Sequence, residues 1–329
     1  MNNNIKVTCW GSRGSGPAPY TEQMEYGGNT SCFTIETGQM LLVLDGGTGL
    51  AALGREMMKN PDDKRDIHIF ISHLHLDHII GIPLFKPLFQ TGRRICFYGE
   101  SRNGRSLKQQ LNLFIGPPYW PVSLSQCSAS IEYYEVEAGK ILSLPLPQSV
   151  QILPIRSNHP DQTVLYRIQL EETMVFYGLD CELNQEMTDV LSNYAENAGL
   201  LICDVQYSPE DYIFHKGWGH STWEAALKLA EASSAKRIWL THFDWEADSS
   251  TLFCLERQAT LCNPNCEYVR EGMTVWQPPC LPEVGSKQPH QEIGQVQQNE
   301  LFDVKLLFHR SSSFRLVRST TAFLTISLN

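Results

Sequence analysis

Three imidazoles and one carboxylate fall within His73-Leu-His75-Leu-Asp77-His78. Imidazole nitrogen and carboxylate oxygen are donors suited to zinc and similar divalent ions, so the stretch reads as half of a metal site. It follows directly on Ile67-His68-Ile69-Phe70-Ile71, an apolar run with the length of a short buried strand. A strand that ends in a donor-rich loop places ligands at the carboxyl edge of an α/β sheet. From an extended backbone, His73 and His75 point the same way. Asp77 and His78 fall where the chain turns, toward a second ion. A His-rich surface loop is the ordinary alternative, and four liganding groups at this spacing leave it in second place.

The remaining ligands of such a site must arrive from other strand ends, and the chain supplies them. Val150 to Ile155 runs into Asn158-His159-Pro160, Met174 to Tyr177 leaves through Gly178-Leu179-Asp180, and Arg237 to Thr241 delivers His242. Taken singly, a His or Asp at a strand end is usually structural. Three in the same placement as the opening motif meet what convergent ligands require. Ile5 to Trp10, Cys32 to Thr37, Met40 to Asp45, Ile95 to Gly99, Thr163 to Gln169 and Leu200 to Asp204 also read as strands. Leu50 to Lys59, Arg105 to Phe114 and Thr222 to Ala232 read as helices. Two strand-rich halves with interspersed helices predict two sheets packed face to face and covered outside, an αββα layering of the α/β class. His68 lies inside its strand and reads as packed or surface-facing rather than liganding. His215, His290 and His309 have no decisive context.

With these residues the chain resembles the metallo-β-lactamase fold superfamily, whose H-x-H-x-D-H signature stands at His73 to His78. The resemblance runs from residue 5 to about 276 and implies a four-layer αββα sandwich. Carried over position by position, it makes His73, His75 and His159 ligands of one metal. Asp77, His78 and His242 would ligate a second, with Asp180 as the bridge. It implies hydrolysis by a hydroxide held between two ions, with Asp77 also orienting that nucleophile or accepting its proton.

An aspartate in the bridging place is similar to the phosphodiesterase and nuclease branches rather than to the true β-lactamases. Gly219-His220-Ser221-Thr222 is similar to a segment that, in tRNase Z and its phosphodiesterase relatives, sets a histidine beside the scissile phosphate. His220 would then stabilise developing charge or protonate the leaving alkoxide. The plainer account has Ser221 or Thr222 capping the next helix, and the two are compatible. tRNase Z members often carry a substrate-binding arm between the positions of His159 and Asp180, where this chain has 20 residues filled by a hairpin. Gly11-Ser12-Arg13-Gly14-Ser15, Gly27 to Cys32 and Lys216 to His220 resemble bacterial phosphodiesterases related to the cyclic-phosphate-cleaving enzymes. That resemblance puts the loop near Arg13 and Asn29 over the site. A strand connection that uses glycine for geometry alone reads equally well.

Composition narrows the classes. The 329 residues, 42% hydrophobic and 19% charged, are ample for a full core, and a net charge of −10 offers no general footprint for nucleic acid or anionic membrane. Arg93, Arg94, Arg102, Arg105 and Lys108 cluster and read first as a solvated polar face. No apolar run approaches the roughly 18 residues that a membrane span needs. Met1 leads straight into strand-like sequence with no export signal, so the ten cysteines read as reduced thiols in the cytoplasm. Cys32, Cys96 and Cys203 read as small core residues. Cys254, Cys262, Cys266 and Cys280 form no C-x-x-C pair, and a structural zinc there finds little support. Past Trp276 a Pro- and Gln-rich stretch reads as a linker, giving a hydrolase domain over 1–276 and an appendage of unassigned role over 277–329.

The expectation is a cytoplasmic hydrolase with two divalent ions, zinc first and manganese or iron as alternatives. Its substrate is a small or cyclic phosphodiester such as a cyclic nucleotide. tRNA 3′ processing, with nucleic acid as substrate, is the second reading. A metal-containing sensor without turnover is the alternative of another class, disfavoured by the complete ligand set. No membrane partner is expected, and a homodimer is left open.

Overall fold

The computed structural model describes residues 5–60, 62–143, 150–171 and 173–276. In chain order the first half carries β1 (Lys6–Gly11), β2 (Cys32–Glu36), β3 (Leu41–Leu44), α1 (Thr48–Met57), β4 (Ile67–Phe70), α2 (Leu76–Ile79), β5 (Arg94–Gly99), α3 (Leu107–Phe114) and β6 (Ser130–Glu135). The second carries β7 (Leu142–Ser143), β8 (Val150–Arg156), β9 (Val164–Leu170), β10 (Thr173–Gly178), α4 (Gln185–Tyr194), β11 (Leu200–Asp204), α5 (Pro209–Tyr212), α6 (Trp223–Ser233), β12 (Ile238–Thr241), α7 (Ser249–Cys262), β13 (Cys266–Tyr268) and β14 (Thr274–Trp276). They form two seven-stranded sheets, ordered β14-β1-β2-β3-β4-β5-β6 and β13-β12-β11-β10-β9-β8-β7.

Leu41-Leu42-Val43-Leu44 shows why the sheets are sandwiched. Successive side chains of a strand face opposite ways, and here both faces are apolar, so both must be covered. Leu42 and Leu44 meet Phe33, Phe70, Tyr166, Tyr177, Ile202 and Trp239 between the sheets. Leu41 and Val43 face outward onto Leu50 and Leu53 of α1 and join Leu107 and Leu111 of α3. On the other sheet Leu201, Cys203 and Leu240 pack with Leu191 of α4, Ala226 and Leu229 of α6, and Leu252 and Ala259 of α7. The layers are therefore helix, sheet, sheet, helix, as the strand pattern predicts.

Several elements emerge only in the structure. α4 buries only Thr188 and Leu191, and α7 only Leu252 and Ala259. β6 forms a sheet edge with no fully buried residue. Such segments give little apolar periodicity to read.

The direction of the strands positions the site. β3, β4 and β5 run parallel, as do β10, β11 and β12. β8 is antiparallel to β9, which is antiparallel to β10, so β8 runs the same way as β10. Their carboxyl ends release Asp45, the stretch Ser72 to His78, His159, Asp180, Asp204 and His242 along common edges. Leu170 pairs with Thr173 where β9 turns into β10, a tight reversal at the position where an arm could have been inserted.

The clustered basic residues form a solvated face only in part: Arg105 and Lys108 are exposed. Arg93 is buried and donates to the Arg65 carbonyl, Arg94 pairs with Asp66 and Glu132, and Arg102 donates to the Ser72 and Gln162 carbonyls. Cys32, Cys96 and Cys203 are buried in the core. Cys254 and Cys262 are exposed, Cys266 is buried, and Cys280 lies outside the described residues, as does the whole of 277–329. Among the described residues, no helix is long and apolar enough to cross a membrane.

Candidate metal centre

Three of the strand exits put left-handed backbone on residues other than glycine: Asp45 with φ 60°, Asp180 with φ 54° and His242 with φ 65°. Each costs on the order of 1 kcal/mol and persists only where the surroundings hold it. The result is a set of side chains turned sharply off their strands into one volume.

Two donor groups meet there, and a third, overlapping set joins Asp180 and His242 to Asp204 and His220. In one, His78 Nε2 is 3.1 Å from Asp77 Oδ2 and 3.1 Å from Asp180 Oδ1. His242 Nε2 is 3.2 Å from each of the same two oxygens and 3.3 Å from His78 Nε2. Ligand atoms held tetrahedrally about 2.0–2.1 Å from a zinc ion lie about 3.3 Å from one another, so these separations fit a single ion. The other carboxylate oxygen, Asp180 Oδ2, is 3.5 Å from His73 Nε2 and 3.8 Å from His159 Nε2. With His75 these make a second donor group. Asp180 thus presents one oxygen to each group. His73 Nε2 and Asp180 Oδ1 are buried without an aligned hydrogen bond, a costly state that a cation would relieve. His75 is the open member, its side chain 44% exposed and its Nε2 2.6 Å from Asp161 Oδ2.

The electrostatics agree. Burial pushes His73 well below the usual imidazole range and takes His159 down to about 4. Burial alone would also lower His78 and His242, but the carboxylates of Asp180, Asp77 and Asp45 hold the first well up, and Asp180 and Asp204 raise the second. Burial would raise Asp77 and Asp180; the neighbouring histidines pull both well below the carboxylate range instead. His73 and His159 are thus held neutral, as a ligand must be, while His78 and His242 carry protons that a cation can replace.

A further ring of groups, invisible as single letters in the sequence, fixes these ligands. Asp45 is fully buried and accepts from the Ser72 amide at 2.7 Å, the Ser72 hydroxyl at 2.9 Å and the Tyr177 hydroxyl at 2.8 Å. His78 Nδ1 donates to Asp45 Oδ2 at 2.8 Å, which leaves Nε2 for the centre. Ser72 Oγ lies 3.1 Å from His73 Nδ1, and Thr163 Oγ1 lies 3.0 Å from His159 Nδ1. Asp204 Oδ2 lies 2.7 Å from His220 Nδ1. Burial would lower His220, yet Asp204, then Asp180 and Asp77, raise it to about 9. Asp204 shares the strand-end placement of the other acids, and that was its signal in the sequence. Asp45 sits in Asp45-Gly-Gly-Thr-Gly49, which reads as a turn and nothing more.

The structure brings His73, His75, Asp77, His78, His159, Asp180, His220 and His242 together. Thr222 also caps α6, accepting from the Ala225 amide at 3.3 Å, so the capping account of that segment holds. The loop with Arg13 and Asn29 behaves differently from a flap over substrate. Arg13 is fully buried and donates to the carbonyls of Gln23, Gly27, Asp244 and Ala247 at 2.7–3.0 Å. The Asn29 side chain donates to Glu271. The loop reaches the site through backbone instead: the Ser15 amide donates to Asp77 Oδ2 at 2.9 Å. Gly14 lies so close to His242 that a Cβ would come within 2.5 Å of the ring. His68 is packed, 3.0 Å from the Tyr98 hydroxyl.

Comparison with known proteins agrees with this geometry. The family described as Beta-lactamase superfamily domain matches residues 42–243. A ribonuclease Z of Bacillus velezensis is 23% identical over 215 residues, covering 53% of this chain and 68% of the relative. A ribonuclease Z of Thermoplasma acidophilum is 21% identical over 281 residues, covering 74% and 87%. Among solved structures, the metallo-beta-lactamase fold protein YhfI from Bacillus subtilis superposes with a TM-score of 0.64 at 22% identity, over 84% of this chain and all (100%) of that one. The short form of human tRNase Z gives 0.58 at 19% identity, over 83% and 99%. A diphosphatase from the PhnP family gives 0.58 at 16%, over 84% and 100%. At these identities the superpositions speak to the fold.

Proposed function

The chain belongs to the beta-lactamase superfamily, and from that premise we propose a phosphodiesterase whose His73, His75 and His159 hold one divalent ion. Asp77, His78 and His242 hold a second, and Asp180 is shared. The reaction class is metal-dependent hydrolysis of a phosphodiester, carried by residues of the 1–276 segment. The observation that carries the reading is Asp180, whose two oxygens face two separate histidine groups. The ions, zinc or manganese, supply Lewis-acid stabilisation of phosphoryl oxygens and activation of water near neutral pH.

The chain's own residues do the rest. Asp77, fixed by the Ser15 amide, orients the attacking nucleophile or accepts its proton. His220, kept protonated by Asp204, donates from its other nitrogen to the leaving alkoxide or to the charge building on phosphorus.

The substrate proposed is a small or cyclic phosphodiester, such as a cyclic nucleotide. The tight β9–β10 reversal supports it, because no arm for a folded RNA is inserted there. So does the engagement of Arg93, Arg94 and Arg102 with protein partners, which leaves Arg105 and Lys108 as the exposed cations of that cluster. Cleavage at RNA 3′ ends is the second reading, favoured by the ribonuclease Z relatives.

The test is a substrate screen with the purified full chain loaded with zinc or manganese. Turnover of cyclic nucleotides or bis(p-nitrophenyl) phosphate is the expected result. Cleavage of precursor tRNA at low protein concentration with cyclic nucleotides untouched selects the second reading. Turnover confined to a thioester or lactone sinks both.

A further inference from the structure

We propose that the loop joining β11 to α6 is a base-stacking subsite, on which the nucleobase carried by the scissile phosphodiester lies against Trp218. The proposal rests on the phosphodiesterase reading above and narrows its substrate to nucleotides.

A ladder of rings climbs this loop from the centre to solvent. The Tyr207 ring lies 5.9 Å from the His220 ring at 78°. His215 stacks on Tyr207 at 4.2 Å and 13°, and Trp218 meets His215 edge-on at 4.9 Å and 90°. His220 and Tyr207 are buried, whereas Trp218 is 60% exposed and Phe214 79% exposed. Two exposed aromatic rings thus stand on one short loop that also reaches the reaction centre.

The loop is also braced, which an idle surface segment does not require. Glu182 accepts from the Tyr212 hydroxyl at 2.7 Å and from the amides of Gly217 and Gly219 at 2.8 Å and 3.3 Å. Ser208 caps α5, and His215 Nδ1 donates to the Asp211 carbonyl at 2.8 Å. Gly219, at φ +91°, sits so tightly on His159 that a Cβ would fall 2.2 Å from its ring. The ladder is thereby anchored to the donor group at one end and open at the other.

A flat ring set against His215 on a braced loop, leading to a centre for phosphodiester cleavage, matches the π-face that every nucleobase presents. It does not match an alkyl diester, which offers no plane to stack. Pre-ordering the ring beforehand reduces the entropy lost on binding.

The experiment compares adenosine 2′,3′-cyclic phosphate with the base-free 1-O-methylribose 2′,3′-cyclic phosphate, using the metal-loaded full chain. Trp218→Ala raises KM for the adenosine substrate by roughly tenfold to a hundredfold, with kcat little changed. It leaves the base-free substrate unaffected, and Trp218→Phe restores most of the loss. Adenosine monophosphate quenches tryptophan fluorescence in the wild type and not in Trp218→Phe. Equal losses on the two substrates, or identical quenching in the two proteins, overturn the subsite. Conversion of a dimer to a monomer by Trp218→Ala with base discrimination intact overturns it too, by assigning the ring to self-association. If the wild type cleaves no phosphodiester, the parent reading falls, and the quenching comparison still decides the subsite.

Discussion

Replacing Asp45 with asparagine separates a site held by its ligands alone from one held by their supports. Asp45 Oδ1 accepts one donor, the Ser72 amide, and Oδ2 accepts three, from Ser72, Tyr177 and His78. An asparagine must place its NH2 group at one of these positions. The less costly choice is Oδ1, which leaves the buried Ser72 amide facing a donor and turns the charge-assisted bond from His78 into a neutral one. A stranded buried donor costs about 1–3 kcal/mol and the weakened bond about 1 kcal/mol more, so Asp45→Asn should lose about 2–4 kcal/mol of stability.

The effect on the centre is separate. Without a strong acceptor at Nδ1, His78 is free to carry its proton on Nε2, where it cannot ligate. Supports of this kind are worth roughly ten- to a hundredfold in metal affinity. The ion at Asp77, His78 and His242 should weaken by that factor. The ion at His73, His75 and His159 should weaken less, since it feels Asp45 only through Ser72. Competition against a chromogenic chelator, on protein shown to be folded by circular dichroism, measures both constants. A folded Asp45→Asn that keeps both ions at wild-type affinity refutes the reasoning.

Other outcomes follow from the same geometry. His220→Ala should lower kcat by roughly 10²- to 10⁴-fold with both ions retained; loss of an ion on metal analysis would instead make His220 a ligand. Arg13→Lys should cost at least about 2 kcal/mol, read from the urea midpoint, because an ammonium cannot serve the four carbonyls that the guanidinium now satisfies. Chelation of metal held at about a thousand times its dissociation constant should remove about 4 kcal/mol of stability for each ion lost. By calorimetry that is a drop of roughly 8–16 °C in Tm, and an unchanged midpoint would argue against ions at the centre.

What the sequence disclosed and what it hid follow one physical line. His73 to His78 is legible because liganding groups are packed into one turn behind an apolar strand. His159, Asp180 and His242 are legible because each stands just past such a strand. Asp45 is not, since its partners Ser72 and Tyr177 lie 27 and 132 residues away and meet it only once the sheets close. The loop near Arg13 reads equally as a cover for the site and as a plain strand connection, and the choice is made by four carbonyls brought in from Gln23 to Ala247, which take four of the five guanidinium N–H groups. The αββα layering is written in strands such as β3, apolar on both faces. α7 and β6 escaped because a helix or an edge strand that buries little leaves little pattern.

The left-handed backbone at Asp45, Asp180 and His242 bears on how such a chain can change over generations. Asparagine enters that conformation about as readily as aspartate, and glycine more readily than either. At these three positions the replacements most welcome to the backbone are therefore ones that erase the chemistry. Glycine at any of them would relieve on the order of 1 kcal/mol of conformational strain, which at Asp45 is outweighed by the buried donors it would strand. A lineage can thus lose the chemistry by a step that the backbone itself does not resist. A well-folded descendant, however stable, is no sign that the centre still works.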